Sequence, residues 1–402
     1  MRRNALFASC LALALGTVAC QDQSNQPAAP SEPALQKIDR HDLADLALKR
    51  GLVRVPIKGR LSDRHLGGLR DRVINPTDYS CVPDSPVFDW ADAEFAEAVA
   101  RDLPELITLF GFAAPDIPFY DALFLLDEND PDAQEFGYDG EFTHVMLKTE
   151  RDVKRFWDIR SDDILLLAMK GTMLQDEERV AAVYEQFFID NPGPPVDPIT
   201  PAEAAEYAAI VREALLSAET LDGGDDPLFS LNAFAFSTAG QPDRIVMGDG
   251  ILEGFKVIGF GDVAPQAIYA HEFAHHIQYE NEYFNDVPPT YPGGPAPTTQ
   301  AEFTRYTELM ADAMAAYYLT HKRGAAMNKH RVAKFLNAFF QIGDCGFGAS
   351  GHHGTPLQRM RAAQFGFDIA DRAHKQGHIL TSEQFHDLFV AAYPRLIAPD
   401  AT

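Results

Sequence analysis

Apolar residues recur at helical spacing from Phe88 to Phe112, through Trp90, Phe95, Val99, Leu103, Leu106, Leu109 and Phe110. Pro104 falls inside this run and breaks or kinks it, because proline offers no backbone donor and crowds the preceding turn. Residues 143–148 (THVMLK) read as a short strand, and 150–189 as largely helical. The stretch NPGPPVDPITP (191–201) cannot be crossed by a helix or an inner strand. It is placed as the boundary between an N-terminal region (41–190), mostly helical, and a C-terminal part (200–395), the former being either a separate domain or extra helices wrapped around the latter. Beyond it, Thr200-Pro201-Ala202-Glu203 has the form of a capping box, which starts a helix over 201–220. RIVMG (244–248) reads as a strand. Helices are expected over 263–284, 301–321, 328–341 and 356–392, the last interrupted near Gly377. A Pro/Gly-rich loop (286–300) and a Gly-rich loop (343–354) separate them.

Composition narrows the function classes. Hydrophobic residues make up 46% of 402, enough for a sizeable core. A net charge of -25 argues against nucleic acid, whose phosphates such a chain would repel. Residues 1–19 have the layout of a secretory signal peptide: Arg2 and Arg3, an apolar run from Ala5 to Val18, then Ala19. Gly16-Thr17-Val18-Ala19-Cys20 resembles a bacterial lipobox, with Thr17 where Leu is usual, so Cys20 is the expected lipidation site. Residues 20–40, polar and Pro-rich, then form a flexible tether. The protein is expected to be exported and held on a bacterial membrane, facing the periplasm or the exterior. In an oxidising compartment Cys81 and Cys345 are either a disulfide or two separate buried thiols. The acidic stretch 127–137 reads as a solvated loop, since Pro131 stands where a calcium loop needs a ligand.

The chemistry concentrates at His271-Glu272-Phe273-Ala274-His275, an H-E-x-x-H motif with no Pro or Gly from Gln266 to Phe284. On a helix the two imidazoles share a face one turn apart and can bind one zinc ion. Glu272 is then placed to act as general base toward a water at the metal. The metzincin extension fails, because Gln278 stands where a Gly is required. The third ligand is expected to be Glu308, on the helix that follows the Pro/Gly loop, with Asp312 one turn further on to orient a ligating imidazole. His276 points off the zinc face and is read as a packing residue.

Three runs carry a family resemblance: HEFAHHIQ, ELMADAMAAYY and HHGTPLQRMRAAQFGF. Together they resemble the bacterial neutral zinc metallopeptidases, which share an H-E-x-x-H-H-x-Q helix, an E-x-x-A-D helix and an H-G-[ST]-x-x-x-R segment. The chain is also similar to the prenyl-protein and heat-shock zinc proteases. There an Asn-Ala-Phe segment and a strand ending in Gly precede the zinc helix, as Asn232-Ala233-Phe234 and Arg244 to Gly248 do here. The resemblance covers about residues 225–370. It implies a gluzincin site: His271, His275 and Glu308 as ligands to one Zn²⁺ per chain, and Asp312 orienting His271. It further implies Asn232 and His353 stabilising an oxyanion, and Arg359 holding the His353 loop. His352-His353 stands where relatives carry a single His, so either imidazole can face the site.

These readings converge on an exported zinc metallopeptidase acting on a peptide or protein. The expected fold is α+β, mainly helical and zincin-like, with a small sheet over the zinc helix. If strand 244–248 lies at an open sheet edge, an extended substrate can add to it. The alternative is a lipoprotein that uses the same site only to bind zinc or a partner.

Overall fold

The computed structural model describes Ala8–Cys10 and residues 86–124, 134–190, 199–238, 241–285, 300–341, 353–373 and 377–398. Most of the signal-peptide and acidic-loop readings, Cys20, the tether, Cys81, His352 and Cys345 lie outside the described residues.

The chain opens with a short strand, β1 (Ala8–Cys10), and helices α1 (Pro86–Arg101), α2 (Leu103–Gly111) and α3 (Ile117–Phe124). The expected break falls at Asp102, with Pro104 in the first turn of α2, where its missing donor costs nothing. The expected strand at 143–148 is instead the start of α4 (Thr143–Phe156). Its buried residues Met146, Thr149, Val153 and Phe156 follow the helical period, which six residues are too few to display. The strand lies further on: β2 (Ile164–Met169) interrupts what reads as a helical stretch and is followed by α5 (Glu177–Asp190). Next come α6 (Pro201–Ser217), a single turn α7 (Pro227–Ser230), β3 (Ala233–Phe236) and β4 (Asp243–Gly248). The remainder is helical: α8 (Asp249–Val257), α9 (Ala264–Glu280), α10 (Gln300–Thr320), α11 (Lys329–Gln341), α12 (Pro356–Ala373) and α13 (Ser382–Leu396). The Thr200 capping box on α6 is present, with Thr200 Oγ accepting from the Glu203 N–H at 3.3 Å.

β4 is an inner strand of the sheet. β2 pairs with it in parallel, Ile164 opposite Asp243 through Met169 opposite Gly248, and β3 pairs antiparallel on its other side. β1 runs antiparallel along the outer edge of β3. The expectation that 244–248 offers an open edge is therefore corrected, since both of its edges carry backbone partners. Side chains alternate across the sheet. Ile164, Leu166, Ala233, Ile245 and Met247 face the large core shared with α9, α10, α12 and α13. Leu167, Met169, Phe234, Phe236 and Val246 face a smaller core under α3. Gly248 is required by a close approach, because a Cβ there would lie 2.0 Å from the Ser230 carbonyl oxygen.

The molecule is thus α+β, mostly helical with a small sheet. The division expected at the Pro-dense connector is crossed by the packing. Val87, Met146, Phe156, Trp157 and Leu166 belong to the same core as α9 and α10. A second core joins α2 and α5 to α6 across the connector. Among the described residues no single helix is long and apolar enough to cross a membrane.

Candidate metal centre

α9 is buried on every side from Ala264 to Gln278, so a polar side chain on it is costly unless it is paired inside the protein. α10 lies against α9, and α12 packs against α10. The α10–α12 approach is backbone to backbone: a Cβ on Gly366 would meet the Ala313 carbonyl oxygen at 1.9 Å. Three helices thereby converge on one cluster of charged and ionisable groups.

His271, His275 and Glu308, all buried, form the one group among the described residues able to hold a metal ion, their ligand atoms within 4.8 Å of one another. The two Nε2 atoms are 3.3 Å apart. His271 Nε2 is 3.1 Å from Glu308 Oε2, and His275 Nε2 is 3.4 Å from Glu308 Oε1. Ligands about 2.0–2.1 Å from a tetrahedral zinc stand about 3.3–3.4 Å from each other, so the spacing suits such an ion.

The opposite ring nitrogens fix which atom is offered. His271 Nδ1 lies 2.9 Å from Asp312 Oδ1. Arg359 clamps that carboxylate, its Nε and Nη2 donating to the two oxygens at 2.8 and 2.7 Å. His275 Nδ1 lies 3.0 Å from Gln278 Oε1, and the Gln278 amide donates to the Thr307 carbonyl at 2.7 Å. With the Nδ1 of each ring set beside an oxygen of Asp312 or Gln278, the two Nε2 atoms are turned toward Glu308.

Electrostatics follow from burial and from these neighbours. Burial opposes the His271 imidazolium, but Asp312 and Glu308 outweigh it and push its pKa up to about 10. A proton and a metal ion therefore compete for the same nitrogen. Burial likewise opposes ionisation of Glu308, yet His353, His275 and His271 hold its carboxyl well below the usual range. Glu272 is buried and its Oε1 has no hydrogen-bond partner. Burial raises its pKa, offset in part by His271 and His275.

The other expected residues fall at different distances from the cluster. His353 is buried on the turn before α12, and its charge acts on Glu308. Asn232 immediately precedes β3, which packs on α9, and its buried Oδ1 has no hydrogen-bond partner. His276 stays out of the ligand group: its ring sits between Asp243 Oδ2 at 3.2 Å and the Arg244 carbonyl at 3.0 Å, tying α9 to β4. Gln278 is the residue that sequence reasoning undervalued. Its signal was present, since i+3 on a helix places it beside His275.

No family model, curated protein or solved structure matches the chain.

Proposed function

We propose that the protein is a zinc-dependent peptidase with a gluzincin ligand set on a zincin-like fold, exported and tethered through Cys20. The observation that carries this reading is Glu272. It is a buried carboxylate next in sequence to a metal-binding histidine, with one oxygen satisfied by nothing. A site kept only to bind metal gains nothing from such a group, which burial makes costly. The donor set agrees: two neutral imidazoles and one carboxylate suit zinc and leave a fourth position open. The resemblance of HEFAHHIQ, ELMADAMAAYY and HGTPLQR to bacterial zinc metallopeptidases supports the same conclusion.

Bound there, zinc would polarise a carbonyl and lower the pKa of a water toward about 7. The chain's own residues do the rest. Glu272 accepts the proton of the attacking water and passes it to the leaving amine. His353 and Asn232 are the candidate donors to the developing oxyanion. Asp312 and Arg359 hold the His271 ring still while charge moves. An extended substrate backbone would add to the β3 edge, which packs on α9. β1 runs along that edge as a substrate strand would, and removal of residues 1–19 on export would vacate it.

The test is Glu272→Gln, which preserves shape and removes the base. It should keep its zinc and lose about a hundred- to ten-thousandfold in turnover on a peptide library. Unchanged turnover in a zinc-loaded variant would place the base elsewhere.

A further inference from the structure

Gln278 is fully buried, and each end of its amide has a partner. Its Nε2 donates to the Thr307 carbonyl at 2.7 Å, and its Oε1 lies 3.0 Å from His275 Nδ1. The two partners differ in kind. A backbone carbonyl can only accept, whereas an imidazole nitrogen accepts or donates according to where its proton sits. Thr307 therefore decides which way the amide faces: the nitrogen toward the carbonyl, the oxygen toward His275. An amide oxygen can only accept, so the contact with His275 is a hydrogen bond when the ring carries its proton on Nδ1. The lone pair of the neutral ring then sits on Nε2, the atom 3.4 Å from Glu308 Oε1 and 3.3 Å from His271 Nε2.

The location of the two bonds adds to this. Gln278 lies one turn after His275 on α9, and Thr307 immediately precedes Glu308 on α10. Through one side chain, the helix carrying the candidate carboxylate ligand sets the ring of a histidine on the other helix. The residue type fits as well. A glutamate at this place would meet the Thr307 carbonyl acceptor to acceptor. It would also be a fourth buried acid beside Glu272, Glu308 and Asp312, all of which feel the one guanidinium of Arg359.

We propose that Gln278 is a positioning residue. It relays the acceptor character of the Thr307 carbonyl to His275 and keeps the proton on Nδ1, so that Nε2 is the nitrogen presented to a metal ion. This rests on the metal-binding part of the reading above and not on peptide cleavage.

The test compares the full-length wild type with two variants. Gln278→Met keeps the length and removes both bonds, and Gln278→Glu keeps the acceptor for His275 but cannot donate to Thr307. The probe is Co²⁺, its affinity read by titration against a chelator and its ligand set by the visible spectrum of the bound ion. Gln278→Met should bind about ten- to a hundredfold more weakly than wild type, with an altered spectrum. Gln278→Glu should not recover the wild-type affinity or spectrum. Wild-type behaviour in either variant overturns the proposal. Magnetic resonance of the zinc-loaded wild type, isotope-labelled at histidine, decides even where a variant does not fold. His275 should carry its proton on Nδ1, and an Nδ1 that is bare or metal-bound overturns the proposal. A folded wild type that binds neither ion defeats the metal reading and this inference together, whereas metal binding indifferent to Gln278 defeats the inference alone.

Discussion

At the scale of single residues, burial sets what each polar group can do. Glu272 and Glu308 are both buried acids on adjacent helices, yet their pKa values move in opposite directions. Glu308 has three histidines acting on it, whereas at Glu272 burial outweighs the two nearest. The environment thus moves the two carboxyls apart, in the directions that the proposed roles of base and ligand require. Away from the site, Asp249 shows the same physics in a measurable form. Burial raises its pKa to about 6, against opposition from Lys170 and the Gly137 N–H, which donates to it at 2.7 Å. Because the folded value lies above the unfolded one, its contribution to stability is complete below the unfolded pKa and is lost as pH rises through about 6. Asp249→Asn keeps the acceptor for Gly137 and removes the titration. Relative to wild type, the variant should gain up to about 3 kcal/mol of stability between pH 4 and pH 7. Denaturant melts across that range measure the difference, and parallel stability curves would contradict the assignment.

Local spacing made the candidate ligands legible. His271, Glu272 and His275 need only a helix to come together, and Glu308 with Asp312 needs only a second helix beside it. The clamp of Arg359 on Asp312 joins residues 47 apart, and the resemblance had implied that Arg359 holds the His353 loop instead.

At the scale of elements, most helices were legible because their apolar periods are long. β2 was not: ILLLAM is apolar on both faces, so it lacks the alternation that marks a half-buried strand. Its register with β4 also joins segments about eighty residues apart, and no local signal reports that pairing. The contact between α10 and α12 holds the clamp and depends on Gly366, whose Cβ would meet the Ala313 carbonyl oxygen at 1.9 Å. Gly366→Ala should push the helices apart, cost about 1–3 kcal/mol or more, and weaken metal affinity by loosening Asp312 and Arg359. Thermal melts and metal titration read both effects. A variant as stable and as metal-avid as wild type would show that the helices tolerate separation.

At the scale of the whole molecule, the Pro-dense connector looked like a boundary, yet the cores run across it. α4, β2 and the turn after α4 contribute Met146, Phe156, Trp157 and Leu166 to the core that holds α9 and α10. A fragment of residues 199–402 would expose that apolar surface and leave β4 without its parallel partner. Such a fragment should fail to unfold cooperatively in a circular-dichroism melt, whereas a sharp transition with a full complement of metal would show that the C-terminal part stands alone. The pattern left both arrangements open, because proline marks where regular structure stops and not where a core ends.

The central claim is that His271, His275 and Glu308 hold one zinc ion. Elemental analysis of the purified full chain beside Glu308→Ala tests it most directly. The account predicts about one zinc per wild-type chain and much less in the variant, both folded by circular dichroism. A folded wild-type protein without zinc, or a variant with full occupancy, would contradict it.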